Sequence, residues 1–322
     1  MTGKTIPNKN KGVITMIFTE EVLEEALNIG RKYLHEGAVA NYIPELAKVD
    51  PNKIAISKIE DGDLYSVGDS KVKYSIQSIV KVILYALAMK NYRVSELKRY
   101  VGVRPSAKPF NSVIELELSE KRIPVNPFIN AGAIIIVAIL YNVYREKTFD
   151  VILEKAGEFL GEEVDYSRKI AQSEKESSFT NRTLIYLMLA KEILPSDTKV
   201  EEVLDTYFKA CSILVSTENL AHMSYVISNN GVDLKGREII TKKESEVLRA
   251  LMATCGTYDY SGDFAIRVGL PAKSGVGGGI VTASRNKTGL AVYAPRLDKH
   301  GNSYSGVRML EYLSEKLDLS IY

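Results

Sequence analysis

The chain has 322 residues, 45% of them apolar and 25% charged, and a formal net charge of +2. Such a length supports one large domain or two moderate ones around a substantial core, and the near-neutral balance gives no reason to expect nucleic acid. The longest apolar run, Ala131 to Tyr141, falls short of the ~20 residues that span a bilayer. With three histidines and two cysteines, there is no His/Cys cluster at ligand spacing to hold a metal and no disulfide framework.

Residues 1–18 carry lysines but no apolar export segment; they read as a flexible tail, and the expected compartment is the cytoplasm. Thr19, followed by Glu20 and Glu21, reads as a capping hydroxyl with acids in the first turn. The helix it opens should run to about Glu36, with Gly37 ending it. Lys53–Glu60 alternates apolar and polar, Asp61-Gly62 signals a hairpin, and Leu64–Val67 returns. A long apolar helix begins near Ser78. From about Tyr92 to Met252 the periodicity is mostly helical, clearest over Ala131–Tyr144, Phe149–Leu160, Asn181–Glu192, Val200–Ser212 and Thr217–Ser228. Gly279–Ser284 and Gly289–Ala294 suggest a second hairpin, and Tyr304–Leu317 a closing helix.

Strands therefore lie towards both ends of the chain and helices in the middle. The economical α/β (α+β) architecture is an antiparallel sheet built by both termini and flanked by terminal helices, with an all-helical part inserted. The sheet-containing part takes residues 19–74 plus 253–322 and the helical part 75–252. A site is expected in the cleft between them.

Ser78 and Lys81 are three residues apart and share a helix face. They offer a way to activate a serine without histidine, provided that the amine is neutral. Ser-x-x-Lys also occurs at Ser70/Lys73, Ser95/Lys98, Ser196/Lys199 and Ser284/Lys287, but in charged or turn-like surroundings. Only Ser78/Lys81 is embedded among apolar residues. A free lysine is neutral in roughly one molecule in 2,500 at pH 7, and burial that disfavours the cation by about 4 kcal/mol lowers its pKa by about three units.

Lys273-Ser274-Gly275-Val276-Gly277-Gly278-Gly279 is the second dense signal. The lysine precedes the glycines, so this is not a phosphate-binding loop, and Ile280-Val281-Thr282 favours a strand over a helix. What remains is a strand edge able to offer backbone N–H groups to an oxyanion, or simply a glycine-rich turn. Ser-x-x-Lys on a helix with a distant Lys-Ser/Thr-Gly on a strand is the arrangement of penicillin-recognising hydrolases. Lys287-Thr288-Gly289 repeats the pattern inside a polar turn, and Ser228-Asn229-Asn230, which would complete the set, reads as a helix C-terminus.

The chain resembles the serine-dependent glutaminases, which have a β-lactamase/penicillin-binding-protein-like fold. The resemblance rests on Tyr42–Ala47, Gln77–Lys81, Asn126–Ile134, Ser173-Glu174 with Asn181-Arg182, Tyr207 with Cys211-Ser212, Cys255–Asp259 and Gly269–Gly279, all in family order. Val80 stands where the family often has serine or cysteine. Thr180 and Thr183 replace the commoner arginine and alanine.

The resemblance implies hydrolysis of L-glutamine to L-glutamate and ammonia, without a cofactor, by a homodimer or homotetramer. It makes Ser78 the nucleophile, Lys81 its base and Tyr258 a proton relay or alternative base, with the N–H groups of Ser78 and Val276 as oxyanion hole. Glu174 would meet the substrate's α-ammonium, and Asn130, Asn181 and Tyr42 its α-carboxylate, with Tyr207 and Gln77 as weaker contributors. Asn130 stands out on its own as an amide in an apolar run that needs partners. A β-lactamase or DD-peptidase would share Ser78, Lys81 and the Lys273 motif, but those enzymes act outside the cytoplasm. A ligand-binding protein on the same fold would not need the Ser78/Lys81 dyad.

Overall fold

A computed structural model of the protein describes residues 9–109, 111–118, 123–284 and 287–322, with the side chains of residues 9–18, 115 and 118 left aside. The strands are β1 (Ala38–Val39), β2 (Ala55–Glu60), β3 (Asp63–Gly68), β4 (Tyr74–Ser75), β5 (Leu214–Val215), β6 (Ala272–Ser274), β7 (Gly279–Thr282), β8 (Gly289–Tyr293) and β9 (Arg296–Leu297). The helices up to the middle of the chain are α1 (Lys9–Arg31), α2 (Val80–Asn91), α3 (Val94–Leu97), α4 (Val113–Leu118), α5 (Asn130–Tyr144) and α6 (Thr148–Leu160). There follow α7 (Arg168–Ser177), α8 (Phe179–Ala190), α9 (Val200–Cys211), α10 (Thr217–Ser228), α11 (Lys242–Cys255), α12 (Ser261–Arg267) and α13 (Tyr304–Lys316).

A five-stranded antiparallel sheet in the order β3-β2-β8-β7-β6 joins the two ends of the chain. Asp61 and Gly62, at φ 53° and 94°, turn β2 into β3, since two left-handed residues match the twist of a two-residue hairpin. Register then sets the layers. Ala55, Ile59, Val281, Ala291 and Tyr293 point to a core shared with the helices. The alternate residues Ile56, Ile280, Leu290 and Val292 join a second core with α1 and α13. Both faces of the sheet's inner strands are thus buried, which is why β7 and β8 read as apolar runs.

Helix α10 crosses the first face. Ser224 on it fixes the crossing, its Oγ donating to the carbonyl of Thr282 and accepting from the amide of Leu290, both at 2.8 Å. Its ends follow from sequence: Ser216 and Asn219 form a reciprocal cap, the arrangement that satisfies two otherwise unpartnered amides.

Three differences from expectation have physical causes. The first helix starts at Lys9, not Thr19, so residues 9–18 of the expected tail are helical, whereas residues 1–8 lie outside the described part. Thr19 is buried inside that helix and its hydroxyl reaches Glu60 at 3.4 Å, instead of capping. The helix also ends at Arg31, before Glu36. Among the described residues no helix is long and apolar enough to cross a membrane.

Candidate active site

Ser78 sits in a single 3₁₀ turn, Gln77–Ile79, that leads into α2. The turn is anchored by β4 pairing with β5 and by Ile76 N–H donating to Ile213 O at 2.8 Å. Gln77 is held at φ 48°, a region costly for side-chain-bearing residues, and its amide reaches Ser75 Oγ at 3.3 Å. Lys81 lies one turn on and is completely buried.

The amine of Lys81 has two acceptors: Asn130 Oδ1 at 2.7 Å and Phe128 O at 3.1 Å. Both are set by one residue upstream. Asn126 Oδ1 accepts from the amides of Phe128 and Ile129, at 2.9 and 3.1 Å. This side-chain turn delivers Asn130 at the first turn of α5. Asn130 then donates to Asn181 Oδ1 at 2.9 Å and accepts from Tyr207 at 3.4 Å. The buried amide in the apolar run is satisfied by site residues, not by capping.

Burial pushes the Lys81 amine down to about 8, against smaller opposing effects of Cys211 and Glu174. Glu174, on α7, is 5% exposed, and burial drives its carboxyl up to about 8 with Lys81 opposing. Its Oε2 has no hydrogen-bond partner among the described residues. A buried carboxylate oxygen left without a donor costs free energy.

Tyr258 follows the bend after α11 at φ 64°. Its hydroxyl donates to Ser274 O at 3.0 Å. Burial raises its pKa and a contact with Ser78 opposes that rise, so the phenol stays protonated beside Ser78. Lys273, which β6 pairs with Val281 on the helix-covered face, donates to the same Ser274 carbonyl at 2.6 Å. Its ammonium nitrogen lies 4.4 Å from the centre of the Tyr258 ring, and burial, then Lys81, holds its pKa well below that of a free lysine.

The glycine run lies against the Ser78 turn. A Cβ on Gly277 would come within 2.4 Å of Ser75 O, and one on Gly275 within 2.8 Å of Ile76 O, so only glycine lets these two backbones meet. Neither the amide of Ser78 nor that of Val276 has a protein acceptor among the described residues.

The structure therefore brings Ser78, Lys81, Tyr258, Asn130, Glu174, Asn181, Tyr207, Gln77 and Val276 together, all of them buried. Tyr42 is the exception at 52% exposed, yet Glu174, Tyr258 and Cys211 all act on its hydroxyl, after burial, to raise its pKa well above normal. Its hydroxyl is thus within electrostatic reach of the buried residues, with Tyr42 at the exposed edge of the group.

Two participants carried no role from sequence. Burial, then Glu174, pushes the Cys211 thiol well up, with Lys81 and Tyr207 opposing; the signal available was its position four residues after Tyr207, on the same helix face. Ser274 has a fully buried Oγ with no partner among the described residues. Ser228, by contrast, accepts from Ser284 N at 2.8 Å at the end of α10, as a helix terminus would. No group of three or more His, Cys, Asp or Glu among the described residues is placed to hold a metal ion.

Comparison with known proteins follows this geometry. A family model described as Glutaminase matches residues 37–322. A glutaminase of Clostridium tetani is 42% identical over 307 residues, covering 94% of this chain and 98% of its own. One of Clostridium botulinum (strain Loch Maree) is 40% identical over 304 residues, covering 94% and 99%. The solved structure of a probable glutaminase, ybaS, superposes with a TM-score of 0.87 at 34% identity, covering 94% of this chain and 98% of its own. The covalent complex between the Bacillus subtilis glutaminase YbgJ and 5-oxo-L-norleucine, formed with 6-diazo-5-oxo-L-norleucine, matches at a TM-score of 0.82 and 29% identity, over 94% and 100% of the two chains.

Proposed function

The chain belongs to the glutaminase family, and we propose that it releases ammonia from L-glutamine through a glutamyl ester on Ser78. The observation that carries this reading is the hydrogen-bond inventory of Lys81. A neutral amine has two N–H bonds and one lone pair. Asn130 Oδ1 and Phe128 O take the two hydrogens, which leaves the lone pair for the hydroxyl hydrogen of Ser78, one turn away on the same face.

Ser78 Oγ attacks the side-chain amide carbon as Lys81 takes its proton. The carbonyl oxygen becomes an oxyanion and is met by the N–H groups of Ser78 and Val276, each such donor contributing about 3 kcal/mol in the transition state. Lys81 or Tyr258 returns a proton to the departing nitrogen, the C–N bond breaks and ammonia leaves. Water then attacks the ester as Lys81 takes its proton, and that proton passes to Ser78 Oγ as the ester bond breaks and L-glutamate leaves. Glu174 pairs with the α-ammonium, and Asn130, Asn181 and Tyr42 donate to the α-carboxylate, with Tyr207 and Gln77 as weaker contributors. The covalent complex of the Bacillus subtilis relative supports this chemistry. Its ligand is an L-amino acid with a carbonyl at position 5, where L-glutamine has its side-chain amide. On this reading the fold is β-lactamase-like, with residues 75–252 as the helical part and 19–74 plus 253–322 as the sheet part.

The test is ammonia release from L-glutamine beside hydrolysis of a chromogenic cephalosporin, by the wild type and by Ser78→Ala. The wild type should act on glutamine and not on the cephalosporin. Ser78→Ala should be folded and inactive, and a variant retaining a tenth of the activity would remove Ser78 as nucleophile.

A further inference from the structure

We propose that His300 and Asp259 form a clasp that positions Tyr258, acting on turnover without touching the substrate. This rests on the glutaminase reading, in which the phenol of Tyr258 serves Ser78.

Tyr258 occupies the left-handed region, at φ 64°. A large aromatic residue stays there only when its neighbours over-determine the conformation. Those neighbours are tied down on both sides. Before it, Thr257 O accepts from Asn302 Nδ2 at 3.4 Å. After it, His300 Nδ1 donates to the Asp259 carboxylate at 3.0 Å, the tautomer in which the carboxylate oxygen is the acceptor. The next residue, Tyr260, stacks on the His300 ring with centroids 5.1 Å apart, and its hydroxyl accepts from Arg267 at 2.8 Å.

The loop that supplies His300 is itself preformed. Asp298 Oδ1 accepts from the amides of His300 and Asn302, each at 2.9 Å, and Asp298 N–H donates to Asn302 O at 2.8 Å. The same segment begins with β9, which pairs with β1 just before Tyr42, and Leu297 packs with Ile43 and Val276. One loop thus backs Tyr42, Tyr258 and Val276 together, and the His300–Asp259 contact joins the Asn302–Thr257 hydrogen bond and the His300–Tyr260 stack in linking it to the Tyr258 turn. Both side chains are partly exposed, at 23% and 30%, so they can be changed without opening the core.

The experiment compares His300→Ala, Asp259→Ala, the double variant and His300→Asn, whose amide can donate where Nδ1 does. Each alanine variant should lose about 10-fold or more in kcat, the effect of a slightly misplaced group, with KM within twofold of wild type and the thermal midpoint little changed. The double variant should lose no more than His300→Ala alone, because that variant already removes the contact with Asp259. His300→Asn should recover most of the loss. A His300→Ala enzyme with kcat within twofold of wild type would overturn the proposal, as would losses that multiply in the double variant or appear only in KM. A crystal structure of His300→Ala with the Tyr258 hydroxyl still on Ser274 O would overturn it whatever the activity. An inactive wild type would count instead against the glutaminase reading.

Discussion

The amine of Lys81 donates to Asn130 Oδ1 at 2.7 Å, and Asn130 is turned to receive it because its own amide nitrogen donates to Asn181 at 2.9 Å. This fixes which hydrogens of the amine are occupied, and so which protonation state can work. It also ties the base to residues assigned to the substrate carboxylate, so binding and chemistry share one network.

The first prediction concerns pH. Burial brings Lys81 down to about 8, and only the neutral amine accepts the Ser78 proton, so activity should rise as pH climbs through 8. Glu174, raised to about 8, must be ionised to meet an ammonium, and it also becomes competent on the alkaline side. Both signs agree. The profile of kcat/KM, which reports free enzyme, should rise by up to two protons, whereas that of kcat, which reports the loaded enzyme, should rise by about one. A flat response from pH 5 to 9 would argue against a lysine base.

Asn130→Asp separates polarity from charge. The aspartate can still accept from Lys81, but its negative charge favours the ammonium form. The alkaline limb of kcat should therefore move to higher pH, with a larger loss at pH 7 than at pH 9. An unshifted limb with uniformly reduced activity would mean that Asn130 works only by holding Asn181.

Gly277→Ala tests the approach of the two backbones. The added Cβ would stand 2.4 Å from Ser75 O, against backbone that cannot rotate away, so the Val276 amide must move from the Ser78 turn. Loss of one oxyanion donor costs about 10²–10³ in kcat, and the alanine enzyme should approach that loss with KM little affected. Activity within threefold of wild type would show that the Val276 amide is not an oxyanion donor.

Much of this was legible because it is locally encoded. Asp61-Gly62 announced its hairpin, the Thr217–Ser228 helix carries its cap beside it, and the small and β-branched runs after Gly279 and Gly289 are strands β7 and β8. What escaped depends on distant partners. The pairing of β4 with β5 spans two residues per strand, too few for any periodicity. The α7 helix that delivers Glu174 is rich in charge, and from sequence Glu174 looks like any solvated acid; only the packing of α7 on α9 makes it a buried one. Thr19 carried a capping signal, but tertiary contact with Glu60 and upstream helix overrode it. The Tyr258 clasp joins residues 41 apart in sequence and has no local signature.

Glu174→Gln should reveal both faces of that buried acid. As the partner of the α-ammonium its loss should cost about 2–4 kcal/mol in transition-state binding, the range for breaking a buried charged pair, or roughly 30- to 1,000-fold in kcat/KM. The wild type should reject glutaramate, which lacks the α-amino group, by a similar factor, and the variant should discriminate far less. In the free protein the sign reverses. The native carboxyl holds its proton up to about 8, whereas an unfolded glutamate releases it near 4.3. Between those values the native state binds more protons, so this group's contribution to stability falls as pH rises. Glutamine has no such dependence, so the variant should gain in unfolding midpoint relative to wild type on going from pH 5 to pH 8. Equal discrimination between glutamine and glutaramate by both enzymes would take Glu174 out of the ammonium site. A midpoint difference that stays constant with pH would mean that its carboxyl is already ionised in the free protein.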